Sequence, residues 1–232
     1  MSPRAAKRGH GSARRPRPGR ATPASNRIRR TFAESAATLI AVFARELDAI
    51  ERMARLVGAT VAAGRTVFFC GNGGSAAEAQ HLATEFVARF VRDRGALPAV
   101  ALSADGSVLT AVGNDYGFER VFARQIEGLG RRGDLLVAMT TSGRSRNILE
   151  AVRAARARGL SVIGLTGEAG SAFARRCDAA LVVPSRETAR IQEVHLLVGH
   201  ILCERAEDAA PARRAREAGP ARRAGRAEKR RG

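Results

Sequence analysis

From Thr31 to about Ala63 the apolar residues Phe32, Leu39, Ile40, Phe43, Leu47, Ile50, Met53, Leu56 and Val57 recur at three- and four-residue steps. That spacing predicts a long amphipathic helix, continuous or broken once, ending at Gly64. Its apolar face is wider than one sheet covers, so it is expected to pack between subunits of an oligomer. After Gly64 the rhythm changes to short apolar runs: Val67 to Cys70, Ala99 to Leu102, Leu135 to Met139, Val162 to Leu165 and Ala180 to Val183. Each is followed by a turn and a helical segment, the pattern of parallel strands buried on both faces. The expected fold class is α/β, a doubly wound five-stranded parallel sheet flanked by helices, with ligands at the carboxyl ends of the strands.

The polar residues at those ends carry the chemistry. After the first run stands Gly71-Asn72-Gly73-Gly74-Ser75, whose glycines allow a sharp turn and whose Ser75 could cap the following helix. A helix N-terminus of this kind suits an anion such as phosphate. His81 and Glu85 follow one helical turn apart and share a face, as metal ligands or an acid/base pair need. After the third run, Thr140-Thr141-Ser142-Gly143-Arg144-Ser145 opens a helix from Asn147 to Arg158 and concentrates hydroxyls and N–H groups for a second anion site. The last helix, about Thr188 to Glu207, places Gln192, Leu196 and His200 at four-residue steps. If that face meets His81 and Glu85, two imidazoles, a carboxylate and an amide oxygen surround one divalent ion. His195 is rotated off the stripe and reads as a surface or packing histidine, and Glu187, Arg190 and Glu193 as solvated rim.

The net charge of +18 raises the question of nucleic acid, and its distribution answers it. Residues 1 to 30 carry +10 and residues 209 to 232 carry +7, leaving +1 for residues 31 to 208. Both ends are rich in Ala, Pro, Gly and Arg and poor in large apolar residues, so they are expected to be disordered basic tails flanking one domain at 31–208. They contain no Phe, Tyr or Trp, so any nucleic-acid binding through them is weak and nonspecific. Three widely spaced cysteines, Cys70, Cys177 and Cys203, argue against a disulfide framework and a structural zinc site. No apolar run is long enough for a membrane span and no signal-peptide core follows the basic start, so a cytoplasmic protein is expected.

Several separated blocks together resemble the sedoheptulose 7-phosphate isomerase (phosphoheptose isomerase) family of SIS domains, over roughly Thr31 to Glu207. They are Cys70 to Ser75 with Ala79-Gln80-His81 and Glu85, Gly113-Asn114-Asp115-Tyr116-Gly117-Phe118, Thr141-Ser142-Gly143 with Ser145, and Thr188 to Glu193 with His195 and His200. The resemblance implies a flavodoxin-like SIS fold. It implies conversion of D-sedoheptulose 7-phosphate to D-glycero-D-manno-heptose 7-phosphate through an enediol, the first step of nucleotide-activated heptose biosynthesis. Phosphate would be bound by Ser75, Thr140, Ser142 and Ser145, and the sugar by Asn72, Asn114, Asp115 and Gln192, with Gly73, Gly74, Thr141 and Glu85 also lining the substrate site. His81, Glu85, Gln192 and His200 would hold one Zn2+ per subunit of a homotetramer whose sites lie between subunits. Glu78 and Arg144 stand where the family often has Asp and Asn.

Aldose-ketose isomerisation moves a proton between neighbouring carbons, so it needs a base that becomes an acid and an electrophile for the developing oxyanion. Glu85 and His200 are the expected catalytic pair. The alternatives are an isomerase for another sugar phosphate and a non-catalytic SIS adaptor that binds a replication initiator protein. Such adaptors lack counterparts of Glu85 and His200, both of which stand here.

Overall fold

The computed structural model describes residues 22–210. The expected tails therefore lie outside the described residues except at their inner ends, and there the structure differs from expectation. Helix α1 runs unbroken over Pro23–Ala62, so residues 23–30 are helical rather than part of a disordered tail. The cause is local: Thr22 caps the helix by accepting the Ser25 N–H at 3.2 Å, and Pro23 stands at a first-turn position that needs no N–H. Burial along α1 begins only at Val42 and continues through Ile50, Met53, Val57 and Val61. Phe32, Ile40 and Phe43 remain at least two-thirds exposed, and Ile28 and Leu47 are exposed to a lesser degree.

Five strands follow in parallel, in the order β2-β1-β3-β4-β5: β1 Val67–Cys70, β2 Ala99–Ala101, β3 Leu135–Thr140, β4 Ser161–Gly167 and β5 Ala179–Val183. Pairing aligns Val67 with Ala99 on one side and with Leu135 on the other. The order reverses between β1 and β3, which is the switch point where a doubly wound sheet opens a crevice for ligand.

Alternation within each strand divides the interior into two layers. Phe69, Leu135, Val137, Met139, Ile163 and Leu165 pack with α1, α2 (Gly74–Val87) and α7 (Thr188–Ala209). Phe68, Cys70, Leu136, Ala138 and Val162 pack on the other face, beneath α3 (Gly106–Tyr116), α4 (Ala123–Leu129), α5 (Arg146–Arg158) and the short α6 (Ser171–Ala174). The three cysteines are free thiols. Among the described residues no helix is long and apolar enough to cross a membrane.

Candidate active site

The two turns at the switch point are joined by a reciprocal amide pair. Asn72 donates to Asn147 Oδ1 at 2.9 Å, and Asn147 donates back to Asn72 Oδ1 at 2.8 Å. Asn147 is buried and its Oδ1 also accepts the Ile148 N–H, so it fixes the start of α5 as well. Sequence reasoning passed over Asn147; its position just inside the helix that follows the hydroxyl-rich turn was the available signal.

Within that turn Gly143 adopts φ 67°, a conformation glycine tolerates best. Its N–H donates to Thr140 Oγ1 at 3.2 Å, and the Thr140 and Ser145 hydroxyls lie 3.3 Å apart. Beside it Asn72, Gly73, Gly74, Ser75, Met139, Thr140, Thr141, Ser145, Thr188 and Gln192 enclose a cavity of about 290 Å³. A second, more polar cavity adjoins it, of about 490 Å³ and lined by Thr141, Ser142, Arg144, Ala169, Arg186 and Thr188. Arg144 thus borders the turn together with Arg186.

The glycine turn differs in detail from the sequence reading. Gly73, at φ 54° and ψ −121°, is the N-cap of α2 and Ser75 lies inside the helix. The Ser75 N–H is taken by the Asn72 carbonyl and those of Ala76 and Ala77 by the Gly73 carbonyl, so this turn offers fewer free donors to an anion than expected. The Ser75 hydroxyl, buried, accepts from Gln192 Nε2 at 3.4 Å. Nearby Glu78 is pushed up to about 7 by burial, against a lowering hydrogen bond with Ser75.

Helices α2 and α7 run side by side in the same direction. Ser75 meets Gln192 at one end, and further along His81 meets His200, the two Nε2 atoms 2.9 Å apart and hydrogen-bonded. Glu85 Oε1 lies 3.8 Å from His81 Nε2. His81, His200 and Glu85 are therefore brought together as expected of a shared face. Gln192 is not part of that group: it is two turns from His200, and its amide packs over Gly74 and Ser75. Asn114 and Asp115 are also apart. They sit exposed at the end of α3, hydrogen-bonded to each other, outside both cavities.

Among the described residues no group of three or more His, Cys, Asp or Glu side chains forms a ready metal cage. In donor type, though, His81, His200 and Glu85 fit a zinc ion, which takes imidazole nitrogen and carboxylate oxygen. Nearby, Arg190 is buried rather than solvated, donating to the Thr31 carbonyl and pairing with Glu193. His195 is fully buried, a packing residue whose ring nitrogens make no well-formed hydrogen bond, the Thr166 main chain being only loosely placed toward it. Burial holds its pKa down at about 4, the Thr166 main chain opposing in part.

Comparison with known proteins matches this architecture to a group. Residues 31–167 match the SIS domain family model. The chain is 51% identical over 180 residues to the phosphoheptose isomerase of Rhodospirillum rubrum, covering 78% of this chain and 96% of that one. It is 48% identical over 182 residues to that of Burkholderia pseudomallei, covering 78% and 92%. The chain belongs to the phosphoheptose isomerase family of SIS-domain proteins. Solved family structures agree: the Neisseria gonorrhoeae enzyme superposes with TM-score 0.75 at 41% identity, over 80% of this chain and 99% of that one. The Francisella tularensis phosphoheptose isomerase gives TM-score 0.77 at 38% identity, over 81% and 100%.

Proposed function

We propose that the protein is an aldose-ketose isomerase that converts D-sedoheptulose 7-phosphate to D-glycero-D-manno-heptose 7-phosphate in the cytoplasm. The observation that carries this reading is the side-by-side course of α2 and α7. It places a hydroxyl-lined pocket at one end and the His81, His200 and Glu85 group about 9–12 Å further along the helices. A seven-carbon chain held by a terminal phosphate spans such a distance and presents its far carbons to that group.

At the phosphate end, Thr140, Ser142 and Ser145 supply hydroxyls at the N-terminus of α5, with Ser75 and Gln192 beside them. Asn72, Gly73, Gly74 and Thr141 shape the pocket wall. At the reacting end, Glu85 and His200 share the proton transfers: a proton leaves C1 of the ketose as O2 is protonated to give the enediol, and a proton returns at C2 as O1 gives up its own, leaving the C1 aldehyde. His81, His200 and Glu85 would hold one zinc ion, which when bound polarises the substrate's oxygens. Gln192 reaches that ion only by turning away from Ser75. Asn114 and Asp115, outside the cavities, fit a sugar site completed by a neighbouring subunit. The exposed Phe32, Ile40 and Phe43 stripe of α1 supports a homotetramer in which such sharing occurs.

Incubation of the purified protein with sedoheptulose 7-phosphate tests the reading. Aldose product is expected, lost on chelation and restored by zinc, and absent with Glu85→Gln or His200→Ala. Near wild-type turnover in either variant refutes the assigned pair, and no product from the wild-type protein refutes the activity.

A further inference from the structure

We infer that Phe90, held in place by Glu207 and Arg94, is a positioning residue that fixes the orientation of His200. The inference rests on the isomerase reading above.

The Phe90 ring stacks on the His200 imidazole, with centroids 5.4 Å apart and planes 28° apart. His81 meets the same imidazole edge-on, with centroids 5.2 Å apart and planes 70° apart. One face of His200 is thus covered by an apolar ring while its Nε2 points to His81 Nε2 at 2.9 Å. Rotation of the imidazole about its bond to Cβ would break the stack and the hydrogen bond together.

Phe90 stands just past the end of α2, in a segment with little secondary structure of its own. What holds it is Glu207, on α7 two turns beyond His200. The Glu207 carboxylate is buried and accepts three main-chain N–H groups, from Phe90 at 2.8 Å, Val91 at 3.1 Å and Arg92 at 2.9 Å. Burial alone would raise its pKa, but these hydrogen bonds and the Arg94 guanidinium outweigh it, so the group stays charged. Arg94 Nε lies 3.4 Å from Glu207 Oε1. The other two guanidinium nitrogens donate to the carbonyls of Glu85 and Phe86 at 2.7 Å. One buried ion pair therefore ties the end of α2, which carries His81 and Glu85, to the end of α7, which carries His200. Phe90 is the side chain that transmits this tie to the imidazole.

Outer groups that orient a metal-ligating or catalytic histidine typically matter about 10–100-fold in affinity or activity. Phe90→Ala keeps the main-chain N–H that Glu207 holds, so the fold survives, and circular dichroism checks this. Expected for that variant is a kcat about tenfold lower with KM within about twofold, because the phosphate pocket lies at the other end of α7. Zinc should be held about tenfold more weakly in competition with a chromophoric chelator. Phe90→Tyr should restore both values, and Glu207→Gln should reproduce the alanine effect. Wild-type kcat and zinc affinity in Phe90→Ala would overturn the inference, as would a fall in kcat that only tracks a loss of helix signal. Absence of isomerase activity in the wild-type protein counts against the function instead, and the zinc competition then decides the role of Phe90 by itself.

Discussion

Replacing His195 by leucine should make the protein less sensitive to acid, and the size of the change follows from the structure. His195 is fully buried on α7 and its pKa falls from 6.5 to about 4. Between those values the unfolded chain binds a proton at this residue and the folded chain does not. Stability therefore drops as pH falls from 6.5 toward 4. Integrated from pH 7.0 to pH 4.5, a shift of that size costs the folded state roughly 2–3 kcal/mol. Glu78 acts with the opposite sign, because its raised pKa lets the folded chain hold a proton that the unfolded chain loses between 4.5 and about 7. That contribution is common to both proteins and cancels in the difference between them. Leucine also removes two buried nitrogens without well-formed hydrogen bonds, so the variant should be at least as stable at neutral pH. Urea unfolding at equal protein concentration, at pH 7.0 and pH 4.5, measures the difference directly. The variant's advantage should grow by roughly 2–3 kcal/mol on acidification. A difference that stays constant to within about 0.5 kcal/mol would refute the assignment of buried, neutral His195 as an acid-sensitive group.

Three further outcomes are expected. In Gly74→Ala the new Cβ would collide with the amide of Gln192, a flexible group that can leave; KM for the sugar phosphate should rise at least about fivefold while the melting temperature barely moves. Asp134 is buried at the amino end of β3 and accepts the N–H groups of Thr66 and Arg131 at 2.9 and 2.8 Å. Asp134→Ala should therefore cost about 2–4 kcal/mol by calorimetry with KM unchanged. Phe32→Glu combined with Phe43→Glu places charge on the exposed stripe of α1; light scattering should show smaller species than the proposed tetramer, and an unchanged mass would refute packing through this stripe.

The sheet was legible because strands buried on both faces are written as unbroken apolar runs. Each expected strand is found, although β3, β4 and β5 extend a residue or more beyond the run that marked them. Helical spacing put His81 with Glu85, and Gln192 with His200, each on one face; that the two faces meet rested on the family resemblance, and the structure brings His81 and His200 within 2.9 Å. What spacing does not contain is how far along a neighbouring helix a side chain reaches, and for that reason Gln192 was grouped with His200 although its amide turns to Ser75. The start of α1 was hidden because residues 23–30 are mostly polar or basic and only the Thr22 cap and Pro23 announce it. Arg190 looked like a rim residue for a similar reason: its partner, the Thr31 carbonyl, comes from a distant part of the chain.

The placement of α7 has a consequence for how the chain is made. Met53 and Val57 of α1 are fully enclosed in the finished fold, in the layer that α7 completes. Synthesis releases α1 well before α7. At ~5–20 residues per second, translation from Ala62 to Thr188 takes on the order of ten seconds. Throughout that interval the face of α1 that carries Met53 and Val57 lacks the cover that α7 provides. His81 and Glu85 likewise wait for His200, so a ribosome-bound chain lacks the assembled site until α7 has emerged.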